Sequence, residues 1–147
     1  MRRILFTSLL AITISSCNMK DQIAANQVPS VVLNAFQKQY PEAADVEWEK
    51  QNSDFEVEFE RDNVEYTALI NQQGDIFKIK HDASLEEIPE TVLEKIKADY
   101  ADYTIDDVEV LKDGENTYFQ LELDKKLADK EIVVSEAGEV LDIDYWD

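Results

Sequence analysis

The strongest constraint on this chain is a stretch of seven residues, 54–60, in which acidic and apolar side chains alternate without exception. A β-strand directs successive side chains to opposite faces, whereas a helix would distribute both kinds around its circumference. The pattern therefore predicts a strand with two unlike faces, and Phe55, Val57 and Phe59 would pack against a core. The opposite face would carry the carboxylates of Asp54, Glu56, Glu58 and Glu60.

Two segments with helical spacing of apolar residues each precede a set of alternating segments. Val28-Pro29 opens the first, since proline is tolerated in the first turn of a helix, and Pro41 ends it near Tyr40. Ile88-Pro89 opens the second at a spacing of 60 residues. The recurrence predicts two helices of similar length, each followed by strands.

The alternating stretch 54–60 has a counterpart at 118–124, which indicates a tandem duplication. We predict repeat 1 at about 28–80 and repeat 2 at about 88–147, each a helix followed by four antiparallel strands, with a polar linker at 81–87. The fold class would be α+β, with two layers, helices on one face of the sheet and solvent on the other. The predicted core layer includes Phe55, Phe59, Phe77, Ile79, Phe119, Leu121, Leu141 and Ile143.

The charge of the chain restricts its partners. It has 14 basic and 33 acidic residues, a formal net charge of −19, and 44% hydrophobic residues. That hydrophobic content, in clean alternation, indicates a packed core and not a disordered chain. The charge repels nucleic-acid phosphates and anionic lipid headgroups, so we expect no nucleic-acid partner and favour basic partners or cations.

The N-terminus has the order of an export signal. A basic start, Met1-Arg2-Arg3, precedes a largely apolar stretch, 4–14, which is too short to span a bilayer. The following Ile14-Ser15-Ser16-Cys17 resembles the lipobox of bacterial lipoproteins, in which the cysteine is lipidated and becomes the first mature residue. We therefore predict a signal peptide at 1–16, lipidation of Cys17 and a tether at 17–27.

These assignments place the protein in the cell envelope. A lipid on Cys17, the only cysteine, would be the sole contact with a membrane, and no internal disulfide is possible. We expect a periplasm-facing lipoprotein of the outer membrane.

Residues 28–147 resemble the PepSY-like small exported proteins, which are related in fold to the β-lactamase inhibitory protein and include many lipoproteins and periplasmic proteins of Bacteroidetes. The resemblance implies a helix-plus-antiparallel-sheet repeat, a non-enzymatic role, and binding or inhibition of an exported protein. The second copy departs from the pattern, with Tyr100-Ala101 in place of the Tyr-Pro pair. The resemblance is carried by Val28-Pro29, Phe36, Tyr40-Pro41, Val46-Glu47-Trp48-Glu49, the strand 54–59 and the segment 70–76.

The residues contain no recognisable catalytic set. His81 is the only histidine and has no nucleophile near it in sequence, and three glycines provide no phosphate-binding loop. We therefore predict no enzyme activity and no cofactor. Asp142, Asp144 and Asp147 are weak candidates for calcium ligands, but no loop gathers the six or more oxygens of a tight site, so no metal site is predicted.

The leading functional hypothesis is a lipid-anchored binding module whose acidic sheet face docks a basic peptide or a basic surface of an exported protein. Glu56, Glu58 and Glu122 would steer the partner, and Tyr118 or Trp146 would anchor it, since exposed aromatic residues are common anchors. Two alternatives remain open: a calcium-responsive envelope protein, and a structural or folding-assistance protein without a defined site.

Overall fold

The computed structural model describes residues 21–126 and 128–147, and in these ranges the chain forms two helices and a nine-stranded antiparallel sheet. The predicted α+β class is confirmed. The predicted signal peptide and the predicted lipidation site, Cys17, lie outside the described residues. None of the helices in these ranges is both long and apolar enough to cross a membrane. The elements are β1 Asp21–Ile23, α1 Ser30–Gln39, β2 Ala44–Gln51, β3 Asp54–Arg61, β4 Val64–Ile70, β5 Ile76–Asp82, α2 Glu90–Asp99, β6 Thr104–Asp113, β7 Asn116–Asp124, β8 Lys130–Ser135 and β9 Val140–Leu141.

The strands pair in the order in which they occur along the chain, from β1 to β9. The β5–β6 pair makes the sheet continuous, because His81 and Asp82 extend β5 and lie opposite Val110 and Glu109. The predicted linker at 81–87 is therefore shorter than expected. Both edge strands are short, with three residues in β1 and two in β9.

Two segments that we expected to be irregular have local structure. Residues 21–23, which fall in the predicted tether, pair with β2 as β1. Residues 85–87 form one turn of 3-10 helix, which begins with a capping box at Ser84. The Ser84 backbone N–H donates to Glu87 Oε1 at 3.0 Å. This bond satisfies the backbone N–H of Ser84, for which the short turn has no backbone acceptor.

The core lies between the helices and one face of the sheet. Helix α1 buries Val32 and Phe36 in one cluster with the β3 residues, and α2 buries Val92 and Ile96 in a second cluster with β6, β7 and β8. The apolar alternation predicted for β3 is confirmed: Phe55, Val57 and Phe59 are 4%, 0% and 1% exposed.

Two residues of the predicted core layer are exposed, and a third, Leu141, is half-buried opposite Val133 and lies outside both core clusters. Phe77 is 38% exposed because the β4–β5 register shifts there: Leu69 lies opposite Lys78 and Ile70 opposite Ile76, which leaves Phe77 as the extra residue of a bulge. Ile143 is 48% exposed because it follows the end of β9. The prediction for both residues was wrong because alternation alone cannot show where a ladder is interrupted.

Candidate functional site

The candidate site is the face of the sheet that points away from the helices, here called the open face. It carries the alternate residues of each strand, so Glu58, Thr67 and Lys80 lie side by side on β3, β4 and β5. The ladder continues from Lys80 to Leu111 and from Leu111 to Tyr118. The predicted steering and anchoring residues on the strands share this face, as strand alternation requires.

The centre of the open face is covered by residues 142–147, here called the C-terminal segment. Its Trp146 is 9% exposed, and its indole Nε1–H donates to Glu56 Oε2 at 3.0 Å. The Trp146 carbonyl oxygen accepts from Lys80 Nζ at 2.6 Å and from Gln120 Nε2 at 3.0 Å. The Trp146 backbone N–H donates to Gln120 Oε1 at 3.3 Å. Trp146 alone therefore makes four hydrogen bonds to the open face, and the half-buried Tyr145 adds a side-chain hydrogen bond to Gln120.

A buried polar network lies beneath Trp146. Lys80 Nζ is 2.9 Å from Glu109 Oε1, and both side chains are only 10% exposed. Gln120, which is fully buried, also donates to Glu109 Oε2 at 2.8 Å. Lys78 Nζ lies 4.5 Å from the Trp146 ring centroid, and burial lowers the pKa of Lys78. The lysines at the centre of the open face are thus paired or covered by the indole ring.

The expectation that Glu56 and Trp146 are exposed was wrong. Glu56 is 3% exposed because the indole of Trp146 covers it. The alternation placed Glu56 on the correct face, but it could not show that a distant segment lies on that face. Glu58 is exposed, and Tyr118 and Glu122 are half-buried. These three side chains can be reached by a partner, and their role in binding one stays a prediction.

A line of carboxylates crosses six neighbouring strands on the open face, here called the acidic row. Glu122 lies directly opposite both Asp107 and Glu131, so three acidic residues occupy adjacent positions on β6, β7 and β8. Neighbouring strands are about 4.8 Å apart, which gives the row a length of roughly 24 Å. Its members, from β3 to β8, are Glu58, Glu65, Asp82, Asp107, Glu122 and Glu131.

The carboxylates of the acidic row interact unfavourably. Partial burial, followed by the charges of Glu58 and Asp82, raises the pKa of Glu65. Burial and then Asp107 raise the pKa of Asp82. Burial, followed by the charge of Asp107, also raises the pKa of Glu122. The three raised pKa values belong to carboxylates on β4, β5 and β7 and indicate repulsion between neighbours in the row.

Sequence reasoning identified only Glu58 and Glu122 of this row. It missed Glu65, Asp82, Asp107 and Glu131, although alternation within each strand would assign each of them a face. The missing information was the register between strands, which decides whether carboxylates on one face become neighbours. A cavity of about 490 Å³ continues the row beside β7 and β8. Its lining has five acidic residues and one lysine, which are Asp106, Glu122, Asp124, Asp129, Glu131 and Lys130.

The other residues considered for chemistry are dispersed. His81 Nε2 lies 3.5 Å from Glu87 Oε2, and its ring stacks on Tyr66 with centroids 5.2 Å apart. Asp142, Asp144 and Asp147 are exposed on the C-terminal segment. Within residues 21–126 and 128–147, no group of three or more His, Cys, Asp or Glu side chains is arranged to hold a metal ion.

Comparison with known proteins identifies related sequences and folds. A family model described as "Putative beta-lactamase-inhibitor-like, PepSY-like" matches two overlapping segments, residues 16–78 and 63–142. Comparison with functionally curated proteins gave no match.

Solved structures share the fold at low sequence identity. A DUF2874 family protein from Bacteroides uniformis has a TM-score of 0.70 at 19% identity, covering 77% of this chain and 86% of that chain. A protein from Bacteroides eggerthii, described as "putative periplasmic proteins", has a TM-score of 0.72 at 21% identity, covering 78% and 86%. A BLIP-like protein from Bacteroides fragilis has a TM-score of 0.65 at 20% identity, covering 77% and 82%.

Proposed function

Because this chain belongs to the PepSY-like, beta-lactamase-inhibitor-like family, we propose that it is a binding module of the cell envelope whose open face docks a basic peptide or protein surface. The family and the fold suggest a binding or inhibitor-like protein and not a catalyst. The basic partner, the acidic face and the anchor are the parts that this proposal adds.

The acidic row carries the proposal. Like charges placed directly opposite each other on neighbouring strands destabilise a sheet, and here Glu122 has acidic partners on both sides. A cationic partner would relieve this repulsion, so binding would recover free energy that folding alone loses. A strip of one sign of charge also steers a partner of opposite sign and accelerates association.

The residues of the original hypothesis now have different roles. Glu58 and Glu122 would steer the partner together with the other carboxylates of the row. Tyr118, half-buried on the open face, would provide an aromatic contact. Glu56 and Trp146 would shape the surface by holding the C-terminal segment in place, since each is largely buried by contacts within the chain.

The remaining elements of the proposal concern location and origin. We propose that Cys17 is lipidated, that residues 1–16 are removed on export, and that the body faces the periplasm at the outer membrane. The description of the Bacteroides eggerthii protein supports a periplasmic location. We also propose that the two helix-containing halves arose by duplication, which the two matched segments of the family model support.

Charge reversal in the acidic row tests the proposal. The probe is a fluorescent lysine-rich peptide, and the variant is Glu58→Lys/Glu122→Lys/Glu131→Lys. We expect the dissociation constant to rise by about tenfold or more and its salt dependence to flatten, because steering charges are lost.

A matched control separates the row from the net charge. The variant Glu86→Lys/Glu90→Lys/Glu94→Lys changes the net charge equally, at exposed positions in and just before α2. It should bind the peptide far better than the row variant. Equal weakening by both variants would mean that the peptide responds only to net charge, and unchanged binding by the row variant would exclude the open face.

A further inference from the structure

The position of Trp146 points to a second site on the open face, which does not depend on the acidic row. We propose that Glu56, Lys78, Lys80, Glu109 and Gln120 form a binding site for a tryptophan residue in an extended peptide. Trp146 is the reversible intramolecular occupant of this site. A partner segment of the same chemistry takes its place when the C-terminal segment leaves.

The contacts of Trp146 define what the site recognises. Glu56 accepts from the indole N–H, which phenylalanine lacks, and Lys78 lies 4.5 Å from the ring centroid, within cation–π range. Gln120 bonds both the backbone N–H and the backbone carbonyl of the same residue, and Lys80 bonds that carbonyl too. The site therefore reads an indole together with an extended peptide unit.

The site is held by contacts that do not involve the C-terminal segment. Lys80 is paired with Glu109 at 2.9 Å, and Gln120 donates to Glu109 at 2.8 Å. Gln51 Nε2 donates to Glu56 Oε2 at 3.0 Å. These side chains come from five strands of one sheet, β2, β3, β5, β6 and β7, so the site keeps its shape when Trp146 is withdrawn.

The C-terminal segment has features of an occupant that can leave. It continues from β9, which has only two residues, and Asp142, Ile143 and Asp144 are exposed, so only Tyr145 and Trp146 have to be withdrawn from buried positions. Its aspartates add negative charge to a face that already carries the acidic row. A short linker such as residues 142–145 provides an effective concentration in the millimolar range, so even weak intrinsic affinity keeps Trp146 bound.

The test uses the full chain with Trp146→Ala, which empties the indole position. The probe is a synthetic hexapeptide with the sequence of residues 142–147, blocked at its N-terminus, and the matched control peptide has phenylalanine in place of tryptophan. Binding is followed by NMR through the side-chain amide of Gln120. We expect saturable binding of the tryptophan peptide in the millimolar range, and binding at least about tenfold weaker for the phenylalanine peptide, since a hydrogen bond to a carboxylate is lost.

Three results would overturn the proposal. One is a folded Trp146→Ala protein that shows no binding at about 5 mM peptide, above the effective concentration that the linker 142–145 provides. Another is equal binding of the two peptides. The third is equal binding of the tryptophan peptide by the wild-type chain, in which Trp146 should block the site.

A second measurement applies if the variant does not fold. Hydrogen exchange of the Trp146 indole N–H in the wild-type chain should occur by local opening, and so faster than that of the core amide of Leu121. Exchange of that indole only on global unfolding would show that the segment does not leave, and would overturn the proposal.

Discussion

The ion pair between Lys80 and Glu109 allows a quantitative test of the network under Trp146. Both side chains are about nine-tenths buried, so removing one partner leaves the other charge in a poorly hydrated position. We expect Lys80→Met to lower the free energy of unfolding by about 3 kcal/mol, the lower end of the range for buried pairs, because Gln120 still donates to Glu109. Glu109→Leu should cost a similar amount.

The double variant Lys80→Met/Glu109→Leu should cost only about 1 kcal/mol, because no buried charge is then left without its counter-charge. Urea unfolding at neutral pH, followed by circular dichroism, would measure all three variants. As a surface control, Lys95→Met breaks the ion pair with the half-exposed Asp99 and should leave the unfolding midpoint nearly unchanged. A double variant that costs the sum of the two single variants would refute the reasoning.

Two further predictions concern the core and the carboxylates. Leu121 is 0% exposed, so Leu121→Ala should lower the free energy of unfolding by about 3 kcal/mol, measured by chemical denaturation. The control Val46→Ala, at a position with 38% exposure, should lower it by less than about 0.5 kcal/mol. Similar losses in the two variants would contradict the assigned core. Stability should rise as the pH is lowered from about 7 to about 5, because Glu65 and Glu122 have raised pKa values in the folded chain. The folded chain therefore takes up protons at a higher pH than the unfolded chain does. The gain in stability is complete below the pKa of 4.5 that both groups have in the unfolded chain. Glu87 acts in the opposite direction, because a backbone hydrogen bond lowers its pKa, and its contribution to stability is lost only as the pH falls below about 4.5. A urea unfolding midpoint that falls steadily as the pH is lowered from 7 would contradict the predicted rise in stability.

The local pattern of the sequence predicted most of the fold on the helix side of the sheet. Alternation in β3 assigned Phe55, Val57 and Phe59 to the core because strand side chains have a period of two. Pro41 predicted the end of α1 near Tyr40, and the structure ends the helix at Gln39. These features depend on neighbours in sequence, which a single chain displays directly.

The features that were missed depend on contacts between distant residues. Glu56 and Trp146 are separated by 90 positions in the sequence. No periodicity in residues 142–147 indicates that Trp146 contacts Glu56 on β3. The bulge at Phe77 and the β5–β6 pairing depend on register, which alternation leaves undetermined. The sequence therefore predicted which face of the sheet carries the candidate site and that this face is acidic. It did not predict that the C-terminal segment covers the centre of that face.

The strictly sequential order of the strands has a consequence for folding kinetics. Each strand pairs with the next one along the chain, and six of the eight ladders are hairpins that close a short loop at a small entropic cost, whereas the β1–β2 and β5–β6 ladders each enclose a helix. Docking of Trp146 onto Glu56 closes a far longer loop and should follow formation of the sheet. Loss of that contact should therefore accelerate unfolding and leave the refolding rate almost unchanged.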